Sequence, residues 1–438
     1  MMTTAIKAGR IIRGDGTVVE GPATLVATDG RITGVGPADQ VAVPPDATVV
    51  DAGDCTLMPG MMDLHLHLTQ WNVLTFKNYR AAAFEVSPQL QMLYALLHAQ
   101  MCLESGFTTL RDMGGNSYAG PLVAEMCALR EAIELGIHAG PRIVVAAFTV
   151  MTGAHLDLIF PRNAIRQPLA TADGPWGLRA LARHHLRTGA DWLKTCTSGG
   201  GGTDKEEPDV RNLTQDELDA LTDEAHAFHK RCACHAFTPH AQKMGVLAGV
   251  DTVEHCVFTD DEAITMMLDT DKTLVPTLAH RSDKAIEQRR SVGTSQFVLD
   301  KMKRIQPHTE ETFRRLHAAG LRMALGTDTQ IDPAMGDNAY EMEIYVDYGM
   351  TPAEALATAT VNAAYALGMQ DDLGTLEVGK LADVLAVDGN PLDDIGVLQR
   401  RERIHLVVKE GDVMVDRRPG FPGRRVVHSE DWSWQIGY

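Results

Sequence analysis

The chain has 438 residues, 45% of them hydrophobic and 22% charged, so it can bury a large core without disulfide staples. A formal net charge of −18 and a pI of about 5.3 argue against nucleic acid or an anionic membrane as partner, since both call for basic patches. Cys55, Cys102, Cys127, Cys196, Cys232, Cys234 and Cys256 are too scattered for a disulfide framework, and with no apolar run of membrane-spanning length and no long apolar leader the expected location is cytoplasmic.

The first residues predict short strands joined by tight turns. "AIKAGRII" runs into the turn "GDG", and "ATLVATDGRITGVG" folds back at Asp29-Gly30. "ATVVDAGDCTLMPG" continues the texture. The middle then alternates. Its apolar runs are "MMDLHLH", "GFTTLRDMG", "PRIVVAAF", "ADWLKTCTS", "CACHAF", "VDTVEHC", "TLVPTL" and "LRMALGTD". Helical stretches such as "PQLQMLYALLHAQMCLES" and "TQDELDALTDEAHAFHK" lie between them. Eight such units predict a parallel sheet closed into a (β/α)8 TIM barrel, an α/β fold whose chemistry gathers at the C-terminal strand ends. In the tail, "LADVLAVDG" and "IHLVVKEGDVMVD" return to strands. Residues 1–57 and 371–438 are therefore expected to form one small β-sandwich together, with the barrel, 58–370, inserted between them.

Reactive side chains stand at the expected strand ends. They are His65 and His67 on strand one, Lys194 on four, His235 on five, His255 on six and Asp328 on eight. Alternate residues share a strand face, so His65 and His67 point together into the barrel. Neutral imidazole is a common metal ligand, and Zn²⁺ takes nitrogen, oxygen and sulfur donors. Asp328 can bind metal and accept a proton. Lys194 is anomalous there, because an ammonium repels a metal ion and a buried charge without a partner is costly. The anomaly disappears if the amine carries CO2 as a carbamate, an anion whose two oxygens can bridge two metals. A lone strand histidine is usually a core residue. Ligand-type residues at matching ends of one alternating pattern read as a metal site.

On these residues the chain resembles the amidohydrolase superfamily. The matching segments are "PGMMDLHLH" after a β-rich leader, "DWLKT", "HAF", "VEHC", "LGTDT" and the tail "GTLEVGKLADVLAVDGNPLDDI". The resemblance implies a binuclear centre, with His65, His67 and Asp328 on the more buried metal and His235 and His255 on the other. A carboxylated Lys194 and a hydroxide would bridge them. Zn²⁺ suits the donors best, and Mn²⁺, Co²⁺ or Fe²⁺ would also fit. Asp328 would act as general base and then acid. Within the superfamily the chain is similar to the imidazolonepropionase-like and Xaa-Pro dipeptidase-like branch. "MTGAH" resembles that branch's Gly-Gly-His loop, which assigns His155 to the substrate carbonyl or carboxylate. Many relatives have Tyr two residues past the strand-five histidine, where Phe237 stands here.

The implied activity is hydrolysis of an amide-type C–N bond in a small molecule. An N-acyl amino acid, a dipeptide and an aryl amide, carbamate or urea are all open, and a cyclic amide of the imidazolone type is the alternative. A noncatalytic metal-binding scaffold is the reading from another class, against which the intact ligand set speaks. Cys232 and Cys234 alternate with His235 and should face the helices. Gly199 to Gly202 read as a loop near the site, and Trp71 as a pocket aromatic or a barrel cap. Trp432 and Trp434 suggest docking on the body or on a second subunit, hence a homo-oligomer. His280 is as well suited to capping a helix and is not counted in the site.

Overall fold

A computed structural model describes residues 2–70, 86–117, 120–159, 170–201, 205–291, 293–329 and 335–427. Trp71, Gly202, Trp432 and Trp434 lie outside the described residues.

Seven parallel strands pair in chain order: Met61–Leu66, Phe107–Asp112, Arg142–Phe148, Trp192–Cys196, Arg231–Ala236, Thr252–His255 and Thr273–Val275. Six fall inside the predicted runs, and the fifth begins one residue before "CACHAF", at Arg231. The eighth run closes the circle through residues 321–329. Ala324 N–H donates to Leu274 O at 2.9 Å, and Leu64 N–H donates to Leu325 O at 2.9 Å. Its bridges to the neighbouring strands are single ones, Leu274 to Met323 and Leu66 to Thr329. The segment stops short of a regular ladder where Asp328 adopts a φ of 55°. Gly326 permits the close approach: a Cβ there would lie 2.7 Å from His65 Cβ and 2.3 Å from Val275 Cγ1.

Helices cover the barrel. Pro88–Glu104 starts at Ser87, whose side chain accepts from Leu90 N–H, and Gln215–Ala227 starts with a Thr214–Glu217 capping box. A methyl on Gly245, in the helix Pro239–Ala248, would lie 2.7 Å from Cys234 Sγ. Cys234 therefore faces the helix layer, as strand alternation requires. An apolar cluster that includes Met62, Leu64, Trp192, Ala233, Val275 and Ala324 packs beneath the strand ends.

Both chain ends build the second unit. Its sheet order is Asp412–Asp416, Ile404–Lys409, Val384–Val387, Thr56–Pro59, Thr3–Ile12, Val18–Thr28 and Arg31–Pro37, with Thr48–Asp51 beside Thr3–Ile12. The turn at Asp29-Gly30 has φ of 47° and 83°, the left-handed pair that lets adjoining strands keep their twist. Ile6, Ile11, Leu25, Ile32, Leu57 and Leu406 are in its core. Arg142, opening the third barrel strand, pairs with Asp383 at 3.0 Å and so ties the two units together.

Candidate metal centre

The strand ends bring His65, His67, Lys194, His235, His255 and Asp328 to one mouth. His65 Nε2 and His67 Nε2 lie 3.7 and 3.3 Å from Asp328 Oδ1. One donor atom each from His65, His255 and Asp328 fall within 4.8 Å of one another. The His235 ring centre is 4.5 Å from that of His255. Lys194 is buried, and its Nζ has no hydrogen-bond partner among the described residues.

Each imidazole has one nitrogen engaged by the protein. His65 Nδ1 pairs with Glu254 Oε2 at 2.6 Å, and His67 Nδ1 donates to Gly114 O at 2.7 Å. His255 Nδ1 meets Thr277 Oγ1 at 2.7 Å, and His235 Nε2 donates to Gly199 O at 3.2 Å. The other nitrogen of His65, His235 and His255 is left for a ligand, and that of His67 meets Asp328 at 3.3 Å, an arrangement in which outer partners fix ring tautomer and angle. Burial, with the Lys194 charge adding to it, lowers His65 to about 4. Burial also holds His235 and His255 well below the usual imidazole range. All three are thus neutral, the form that ligates metal. Burial alone would raise the Asp328 carboxyl, but the surrounding histidines, His280 first, keep it well below its usual range and anionic.

His255 reaches the mouth by a departure from strand geometry. Glu254 is the ladder partner of His235 and shares its inward face, so a regular strand would point His255 outward. His255 instead has a φ of 74°, followed by Cys256 at 46°. Thr277 and Asp328, at the ends of the next two staves, are each at 55°. Non-glycine residues held in this region are strained, and such strain collects at functional sites.

Neutral imidazoles, an anionic carboxylate and a buried amine without an acceptor make an incomplete set by themselves. Their donor chemistry fits divalent metal ions. His155 joins them from the loop after the third strand. Its ring stacks on His235 at 4.4 Å, and its Nδ1 pairs with Glu206 Oε2 at 2.8 Å. Gly200 leaves room for that ring, since a Cβ there would sit 2.3 Å from His155 Cε1. Cys196 lies with His155 and His235, but burial pushes its thiol well up, so it is neutral and no thiolate ligand.

Sequence reasoning did not single out Glu254, Arg111 or Arg281, and it left His280 aside. Glu254 Oε1 accepts from Arg111 Nη2 at 3.0 Å, with neither side chain exposed. Arg111 also donates to Leu64 O at 2.6 Å and lies over the Trp192 ring at 4.4 Å. His280 Nε2 is 3.8 Å from Asp328 Oδ2. The available signal was position: Glu254 directly precedes His255, and His280 and Arg281 follow the seventh strand.

Residues 56–414 match the amidohydrolase family. The ochratoxinase of Aspergillus niger is 27% identical over 433 residues, covering 93% of this chain and 86% of that protein. The crystal structure of a Xaa-Pro dipeptidase with methionine bound in its active site superposes with a TM-score of 0.83 at 30% identity, over 94% of this chain and 99% of that one. A prolidase complexed with N-methylphosphonate-L-proline gives 0.85 at 28%, over 95% and 100%.

Proposed function

The chain belongs to the amidohydrolase family and is a hydrolytic enzyme acting on C–N bonds, and from that premise we propose that it cleaves an amide-type bond of a small molecule at a pair of divalent metal ions. His65, His67 and Asp328 would hold one ion, and His235 and His255 the other. Lys194, carboxylated by CO2, would bridge them. Zn²⁺ is the best match to these donors, with Mn²⁺, Co²⁺ or Fe²⁺ as substitutes. The observation that carries this reading is the buried Lys194 amine, coupled by charge to His65 and His235 and with no acceptor among the described residues.

When bound, the metal pair supplies Lewis acidity, which acidifies water and polarises the scissile carbonyl. Asp328 accepts the proton of the attacking water and delivers it to the leaving nitrogen. Glu206 fixes the His155 ring through Nδ1, which sets the ring's other nitrogen toward the substrate carbonyl oxygen. His155→Ala is expected to lower kcat/KM by about 10²-fold with metal content unchanged. Gly200→Ala, whose methyl displaces the same ring, should move kcat/KM the same way. Full turnover in both variants would remove His155 from the mechanism.

The reading is tested by metal content per chain together with hydrolysis of N-acyl amino acids, dipeptides, aryl amides, carbamates and ureas. Near two equivalents of metal and chelator-sensitive turnover of one class are expected. A single equivalent with full activity would overturn the bridged pair. Hydrolysis indifferent to chelator would overturn metal dependence.

A further inference from the structure

Arg281 is a buried cation that the mechanism leaves unused. It ends a single 3-10 turn, Ala279–Arg281, just past the seventh strand. Its Nη1 donates to Thr277 O at 2.8 Å and reaches Thr277 Oγ1 at 3.3 Å. That same hydroxyl holds His255 Nδ1. Its Nη2 has no acceptor among the described residues, although the residue is only 4% exposed. The guanidinium lies over the Phe237 ring at 5.0 Å. Phe237 in turn stacks on His235 at 4.4 Å and meets His255 edge-on at 5.3 Å. The open N–H is therefore beside the ligand histidines and not in the outer helix layer.

A buried charged donor without an acceptor is costly, so a fold that keeps one at a reactive centre has a use for it. Guanidinium suits carboxylate better than ammonium does, because its planar fork matches the two oxygens. The side of the centre matters too. Arg281 is coupled by charge to Asp328, the group assigned to protonate the leaving nitrogen. In an N-acyl amino acid the carboxylate is one carbon away from that nitrogen. The carbonyl oxygen is left to His155, so two anchors flank the scissile bond.

Resting on the amide-hydrolase reading above, we propose that Arg281 Nη2 receives the α-carboxylate of an amino-acid leaving group. The substrates are then N-acyl amino acids or C-terminal peptide bonds, and neutral aryl amides and ureas are disfavoured. A phenylalanine at position 237 is consistent with this division of labour: it presents a flat face under the guanidinium and offers no competing polar group.

The test is calorimetric binding to the metal-loaded protein of L-methionine, L-phenylalanine and L-proline, each beside its neutral amide. These probes are leaving groups, so no turnover is needed to read them. The wild type is expected to bind at least one acid about 100-fold more tightly than its amide. In Arg281→Met the acid-to-amide ratio should fall to near one, and Arg281→Lys should recover part of it. Taking the ratio within each variant cancels any general loosening of the site. An unchanged ratio in Arg281→Met, or a wild type that prefers no acid, overturns the proposal. The two readings fail separately. Acid binding through Arg281 without hydrolysis of any amide would sink the hydrolytic reading alone, and hydrolysis without carboxylate preference would sink this one alone.

Discussion

Lys194→Ala is expected to lower kcat/KM by about 10⁴-fold, or about 5.5 kcal/mol, and to leave the protein with one metal equivalent or none. The size follows from what the side chain does in the proposed centre. A bridging anion screens two cations from each other, and without it their repulsion ejects the less firmly held one. Lys194→Arg should fail equally, since a guanidinium forms no such carbamate. The folded protein should survive the change. In the metal-free state Lys194 is a buried amine without an acceptor among the described residues, so its removal takes away a cost. Apo Lys194→Ala should therefore melt no lower than apo wild type, which separates a lost ligand from a damaged fold. Metal analysis and thermal melting of the two apo and reconstituted proteins decide the matter. Wild-type metal content in Lys194→Ala would sink the carbamate.

The pattern of strands and the ligand candidates were open to reading from sequence, because both are local. "MMDLHLH" states its own alternation, and each of the seven regular strands coincides with a predicted apolar run to within one residue. Lys194 declared itself by being the wrong charge for its position. What sequence did not give was anything set by contact across the barrel. Arg111 and Glu254 are 143 positions apart yet share a hydrogen bond. A buried arginine in "TTLRDMG" looks the same in one dimension as a surface one. His255 is a sharper case. Strand alternation alone would have aimed it outward, and only its left-handed backbone turns it to the mouth. Family pattern singled out that residue, while the physical route to its position had to be seen. Arg281 escaped for a related reason: its value lies in an unfilled hydrogen bond, and absence of a partner has no sequence signature.

Glu254→Ala is expected to destabilise the fold by about 3–5 kcal/mol and to weaken metal binding about 10–100-fold. Both effects come from one carboxylate that holds Arg111 and His65 and also accepts from Thr252 Oγ1 at 2.5 Å. Oε1 neutralises Arg111, and Oε2 fixes Nδ1 of His65. Burial by itself would raise this carboxyl, but the Arg111 charge and the His65 hydrogen bond bring it down to about 2, so it is anionic at neutral pH. Its removal strands a guanidinium that has no exposure to solvent. It also frees His65, a ligand in the proposed centre, to rotate. The two consequences are separable. In Arg111→Met/Glu254→Leu the stranded charge is gone, so much of the stability should return, as it does when a buried ion pair is replaced by apolar side chains. His65 would still lack its orienting partner, so metal affinity should stay low. A double-mutant cycle read by thermal melting and by metal titration measures both at once. If the double variant regained metal affinity along with stability, His65 would owe its aim to packing alone. If Glu254→Ala bound metal as the wild type does, the carboxylate would belong to the barrel's architecture and not to its chemistry.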